Sequence, residues 1–227
     1  ASGVNKNAVS EHAVALILAF TRQLHTGRDN QRNHLWRGMI ADIPKREDEL
    51  GGKTLLIFGM GDIGSRVARI AKAFDMHVVA VKRNPATAQG PADEVHPPSE
   101  WMDLVPKADF VLLTCPLTSE TANIVNADVL RAMKPSAHLI NMARGGCVDQ
   151  TALIAALEAG EIAGAGIDVT VEEPLSADSP LWDMENVIIT PHTGGETQKY
   201  EDNVLDILLE NLDRLWRGET TLRNQII

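Results

Sequence analysis

Three short stretches put reactive side chains where an apolar run stops. NMARGG at 141–146 carries Arg144 ahead of two glycines, DVTVEEP at 168–174 carries Asp168 and Glu173 ahead of a proline, and TPHTGGE at 190–196 carries His192 followed by Thr193, Gly194 and Gly195. An arginine is a planar fork of donors matched to a carboxylate. A histidine can give or take a proton near neutral pH, because its unperturbed pKa is about 6.5. Taken singly, each has a plainer reading: Arg144 as a surface ion-pair partner, Glu173 as a solvated acid beside Glu172, His192 as a satisfied core histidine. Taken together they offer an anion clamp and a proton donor.

A fourth stretch, GMGDIG at 59–64, follows an apolar run and opens a helical pattern. In that context Gly59 makes the tight turn, Gly61 lets backbone approach a pyrophosphate, and Gly64 permits close helix–strand packing. The N–H groups at the helix start, around Asp62 and Ile63, would face the phosphates. The plainer alternative is a glycine-rich turn with no ligand. The next apolar run, HVVAV, ends in Lys82-Arg83 with no carboxylate at its tip. An acidic residue there would hold the ribose hydroxyls of NAD, whereas two cations suit a 2′-phosphate, so NADP(H) is expected over NAD(H). A merely solvated loop is the other reading.

The elements that must position these groups follow from hydrophobic patterning. KTLLIF, HVVAV, DFVLLT, HLINM, AGAGIDV and NVIIT read as strands, and DIGSRVARIAKAF, NADVLRAM and QTALIAALEAG between them as helices. Alternation of this kind predicts an α/β fold: a Rossmann-like, doubly wound parallel sheet covered on both faces. Ligands then bind outside the carboxyl ends of the strands, where all four motifs lie. Residues 8–25 read as a helix apolar on almost every side, to be buried against protein. Residues 26–50 read as a polar surface segment, and a last helix is expected over about 197–217.

Bulk properties narrow the function classes. A length of 227 residues suits one sizeable domain at roughly 100–200 residues each. The balance of 31 acidic to 21 basic residues, with no basic block, argues against a nucleic-acid partner. AVALILAF at 13–20 is far shorter than the about 20 residues a membrane span takes, and Glu11 and His12 stand where a signal peptide would be basic. Cys115 and Cys147 lack metal-ligand spacing and sit in or beside apolar runs, which predicts buried free thiols, no metal site and a cytoplasmic location.

The motifs in order (GVNKNAVSEHAVAL, GMGDIG, CPLTSET, NMARGGCVDQTAL, GIDVTVEEPL, SPLWDMENVIITPHTGGET and the closing LRN) resemble the D-isomer-specific 2-hydroxyacid dehydrogenases over essentially the whole chain. The resemblance implies that Arg144 binds substrate, Glu173 is the glutamate of a catalytic dyad, and His192 is its acid/base partner. A carboxylate beside the ring would favour imidazolium and fix its orientation. It also implies that Asp168 holds the nicotinamide carboxamide, that Cys115-Pro116 and Met142-Ala143 line the cofactor with backbone, and that Ser2, Thr193, Gly194 and Gly195 are further cofactor contacts. His12, in SEHA, reads as structural. The resemblance makes residues 1–30 a hinge and crossing helix, 31–196 the nucleotide-binding domain, and 197–227 a helix returning toward a substrate-binding domain. That domain, on the order of 100 residues in the family, would precede the first residue here. A small 2-keto acid substrate and a homodimer paired through the 8–25 helix are expected. A corepressor-like protein that senses the dinucleotide without turnover is the alternative.

Overall fold

The computed structural model describes residues 4–88 and 90–225, so Ser2 lies outside the described residues. The chain opens with α1 (Lys6–Thr21) and α2 (Leu24–Arg32), then alternates β1 (Thr54–Phe58), α3 (Asp62–Lys72), β2 (His77–Val81), β3 (Glu94–His96), α4 (Trp101–Leu104), β4 (Phe110–Leu113), α5 (Ala127–Ala132), β5 (His138–Asn141), α6 (Gln150–Glu158), β6 (Gly164–Ile167), β7 (Val187–Ile189) and α7 (Tyr200–Trp216). All seven strands run parallel in the order β3-β2-β1-β4-β5-β6-β7. The order reverses between β1 and β4, and there a crevice opens at the carboxyl edge.

The central positions of the inner strands are apolar because both faces of the sheet are covered, and side chains two apart share a face. Leu56, Phe58, Val79, Val81, Val111, Leu113 and Leu139 pack on one side with residues of α4, α5 and α6. Leu55, Ile57, Val78, Ala80, Leu112 and Ile140 pack on the other with α1 and α3. Ile140 is wholly buried, and truncating such a residue to Ala costs about 2–5 kcal/mol.

The predicted strands all form. The sheet has one more, β3, a three-residue edge strand whose polar sequence, Glu-Val-His, carries no apolar run to reveal it. The helix expected at 8–25 stops at Thr21, because Gln23 takes a left-handed conformation (φ 48°) before α2 begins. The buried side chains of α1 (Ala13, Leu16, Ile17 and Phe20) pack on α3 and the sheet of its own chain. The exposed apolar side chains lie further on, at Leu35, Trp36, Met39 and Ile43, inside the segment expected to be merely polar. A second group stands along α7, where Leu205, Leu208, Leu209, Leu212 and Leu215 recur at helical spacing and are all exposed.

Candidate active site

Arg144, Glu173 and His192 each stand in a turn at the carboxyl edge, and each turn has an internal reason for its shape. After β5, buried Asn141 accepts from the Ala143 amide (3.0 Å) and donates its side-chain amide to the Arg144 carbonyl (3.2 Å), so the chain folds back and turns Arg144 outward. Gly145 then passes the segment after β6 backbone to backbone; a Cβ there would stand 1.9 Å from the Thr170 carbonyl oxygen. That close approach brings the arginine turn beside the segment bearing Glu173.

Glu173 is anchored at one oxygen and used at the other. Oε1 accepts from the Thr170 amide (3.1 Å), and Oε2 lies 2.7 Å from Nδ1 of His192. The hydrogen bond from His192, with help from the Thr170 amide and the Arg144 charge, holds the Glu173 carboxyl below its usual range. The group is therefore ionised at neutral pH, and its contribution to the pairing is lost only as pH falls through that lowered value. His192 itself adopts a left-handed conformation (φ 57°). Its Nδ1 is committed to the carboxylate, which leaves Nε2 for a substrate.

The loop carrying His192 is organised by Asp168, which is buried at the end of β6. Its carboxylate accepts from the Thr190 hydroxyl (2.5 Å) and from the amides of Thr193 (3.0 Å) and Gly194 (3.0 and 3.1 Å). A side chain at Gly194 would collide with Met142 and with Asp168 itself, and one at Gly195 with Asn5. Sequence reasoning carried an expectation for Asp168 at the nicotinamide alone and no sign of these loop contacts. It also missed Thr190, whose hydroxyl lies 2.9 Å from Nε2 of His12 on α1. The contact ties His12, expected at an interdomain or subunit contact, to the loop of its own chain that carries His192. A histidine on an otherwise apolar helix was the available signal.

Two cavities share the crevice. One, of about 1030 Å³, is lined by Arg144 and His192 together with Gly61, Asp62, Ile63, Met142, Ala143, Asp168 and Gly195. The other, of about 440 Å³, lies between the tips of β1, β2 and β4 and is lined by Gly59, Gly61, Lys82, Arg83, Cys115 and Pro116. The glycines differ in what they do. At Gly59 (φ 114°) a Cβ would stand 2.8 Å from the Cys115 amide, and at Gly64 2.2 Å from the Gly59 carbonyl. At Gly61 it would meet no protein atom within 4 Å, so protein packing does not demand a glycine there. A pyrophosphate laid against that backbone would. The residues present therefore fit a dinucleotide. Arg83 is exposed and has no ion-pair partner among the described residues, while the Lys82 ammonium donates to the Thr87 carbonyl (2.7 Å).

An open parallel sheet whose reversal point carries such a cradle is a dinucleotide-binding α/β domain. Residues 14–194 match the family described as D-isomer specific 2-hydroxyacid dehydrogenase, NAD binding domain, and the chain belongs to that family. It is 41% identical over 217 residues to the glyoxylate reductase of Pyrococcus furiosus, covering 94% of this chain and 64% of that one. The chain thus spans about two thirds of that relative's length. Among solved structures it is similar to a D-isomer specific 2-hydroxyacid dehydrogenase family protein from Aeromonas salmonicida (TM-score 0.88, 32% identity, 100% of this chain and 70% of that). It is also similar to a D-isomer specific 2-hydroxyacid dehydrogenase from Xanthobacter autotrophicus in complex with NADPH (TM-score 0.84, 29% identity, 100% and 89%). No helix among the described residues is long and apolar enough to cross a membrane.

Proposed function

We propose that the protein reduces a small 2-keto acid to its D-2-hydroxy acid using NADPH, as a reductase of the glyoxylate or hydroxypyruvate type. The observation that carries this reading is one cavity lined by Arg144, His192 and the glycine turn, with a carboxylate hydrogen-bonded to the far nitrogen of that histidine. The cofactor, when bound, supplies hydride at C2. Gly61, Asp62 and Ile63 would hold its pyrophosphate with backbone N–H groups, and Cys115, Pro116, Met142 and Ala143 would line it. Arg144 pairs with the substrate carboxylate and polarises the neighbouring carbonyl. His192 delivers a proton to the developing alkoxide through Nε2, while Glu173 at Nδ1 fixes the ring and offsets its positive charge.

The NADPH preference is supported by Arg83, exposed at the mouth of the smaller cavity, with Lys82 beside it and no carboxylate at the β2 tip. The pairing of two copies is supported by Leu35, Trp36 and Met39, exposed at 58%, 97% and 93%. The exposed leucines of α7 suit cover by the remaining third of such an enzyme. A cytoplasmic location is supported by the two free thiols.

The test is turnover of glyoxylate, hydroxypyruvate and phenylpyruvate by the full-length protein with NADPH and with NADH, and sedimentation at micromolar concentration. Arg144→Ala is expected to raise KM and lower kcat together, because it removes binding shared by ground and transition states as well as carbonyl polarisation. Dinucleotide binding without turnover of any 2-keto acid would move the protein to the sensing class, and a monomer in sedimentation would remove the dimer.

A further inference from the structure

α1 runs back along β6 on one stripe of side chains spaced by four, and the stripe ends in a histidine. His12, Leu16 and Phe20 share that face of the helix. A Cβ at Gly166 would stand 3.3 Å from Cβ of Leu16 and 3.2 Å from the Phe20 ring, and one at Gly164 3.3 Å from the same ring. The glycines of β6 thus let the helix lie close on the strand, with Phe20 near the strand's start. One turn before Leu16, the stripe brings His12 to the carboxyl end. There its Nε2 lies 2.9 Å from the Thr190 hydroxyl and 3.9 Å from Oδ1 of Asp168. Ala13, Leu16 and Ile17, all buried, fix the helix that carries it.

Counting protons sets the direction of each bond. An ionised carboxylate only accepts, so the single hydroxyl proton of Thr190 goes to Oδ1 of Asp168, 2.5 Å away. The Thr190 oxygen is left as an acceptor, and Nε2 of His12 must donate to it. The ring has no other hydrogen-bond partner among the described residues, so Thr190 alone selects the tautomer with the proton on Nε2. The same count separates the two carboxylate oxygens. Oδ1 takes the Thr190 hydroxyl and the Thr193 and Gly194 amides, whereas Oδ2 takes only the shared Gly194 amide (3.0 Å). Asp168 lines the larger cavity, and Oδ2 is the oxygen with acceptor capacity to spare.

We propose that His12 is a positioning residue, whose Nε2–H holds the Thr190 hydroxyl on Oδ1 of Asp168 and so keeps the loop bearing His192 in place and Oδ2 open to a donor group of the bound cofactor. Without that donor the Thr190 oxygen is left unmet in a half-buried position, and the hydroxyl loses the contact that sets its direction. The part that concerns the cofactor and turnover rests on the function proposed above; the part that concerns the loop does not.

The bond direction is tested on the full-length protein without turnover. Two-bond proton–nitrogen correlation of the His12 ring, assigned by its loss in His12→Gln, should show the Nε2–H form at a pH where the ring is neutral. A ring protonated on Nδ1 instead overturns the proposal. Hydrogen exchange at the Thr193 and Gly194 amides should quicken about fivefold in His12→Leu and in Thr190→Val, the worth of one net hydrogen bond. His12→Gln keeps an N–H donor on a side chain of similar reach and should restore slow exchange. In 2-keto acid reduction with NADPH, His12→Leu and Thr190→Val should each lower kcat about fivefold and leave KM for the acid unchanged, because Arg144 is untouched. The double variant should lose no more than either single one, since both cut the same path. Thermal unfolding checks that the variants fold. Equal losses in His12→Gln and His12→Leu, or losses that add in the double variant, would make His12 a packing residue and overturn the proposal. A wild-type protein that neither binds NADPH nor turns over a 2-keto acid would strike the proposed function instead, with the ring tautomer and the amide exchange still deciding whether His12 holds the loop.

Discussion

The two halves of the crevice are built in different ways. On the nucleotide side, between β1 and β2, the working surface is backbone, and three glycines give it its shape. On the side proposed for catalysis, beyond β5 and β6, the groups concerned are side chains, each held by a hydrogen bond to something buried or to one another. The difference teaches where each half can fail. Backbone recognition is lost when a side chain is added, whereas side-chain chemistry is lost when one is removed.

The largest expected effect would blur that division if it did not appear. Gly145 sits in the catalytic half but works as a packing glycine, with the Thr170 carbonyl where a Cβ would go. Gly145→Val should destabilise the fold by more than about 4 kcal/mol, seen as loss of a cooperative thermal transition. A normal transition would mean that the loops after β5 and β6 can separate at little cost.

Removal on the catalytic side should leave the fold alone. His192→Ala is expected to lower kcat for 2-keto acid reduction by about 10²–10⁴-fold, with NADPH affinity and thermal midpoint unchanged. Near-normal kcat where chemistry limits the rate would remove the proton donor from the mechanism. Its counterpart on the nucleotide side is Gly61→Val. No protein atom opposes that side chain, so the midpoint should hold within about 2 °C while NADPH affinity falls at least about tenfold, a change of about 1.4 kcal/mol. A titration with unchanged affinity would show that the open space beside Gly61 is not where the pyrophosphate lies.

The smallest effect concerns the β2–β3 edge, which borders the nucleotide side. His96 lies between Glu94 (3.0 Å) and Glu100 (2.7 Å), and the hydrogen bonds to both raise its pKa, that to Glu94 most. Glu94 also reaches His77 (2.9 Å), which lies 3.6 Å from Asp93, itself paired with Lys72. A raised histidine value contributes stability fully below the unfolded value of about 6.5 and loses it as pH rises through the folded value. The wild-type midpoint should therefore fall relative to His96→Gln as pH is raised across that window. The difference should stay below about 2 °C, because the cluster is solvent-screened. A difference that grew with rising pH would reverse the assignment.

Much of this was legible because the sheet is parallel and covered on both faces, so its strands are written as unbroken apolar runs with the motifs at their ends. The edge strand at Glu94–His96 was not legible: with one neighbour and three residues, two of them polar, it is fixed by pairing with β2 rather than by its own composition. The break at Gln23 was hidden for a related reason, since α2 has no buried residue and hence no apolar stripe to announce a second helix. The placement of Arg144, Glu173 and His192 at the carboxyl edge was legible from the apolar runs before them, but the bond between Glu173 and His192 joins residues 19 apart and only folding makes it. The His12–Thr190 contact, across 178 residues, belongs to the same class.

The hydrogen bonds that converge on Asp168 carry a consequence for timing. Because the Thr193 and Gly194 amides and the Thr190 hydroxyl are already spent on one buried carboxylate, the loop bearing His192 has its reorganisation done at folding rather than once per turnover. The Thr193 and Gly194 amides should exchange with deuterium as slowly as strand amides, unusual for a segment at a cavity mouth. The acid/base group proposed for this loop would then work as a fixed anvil.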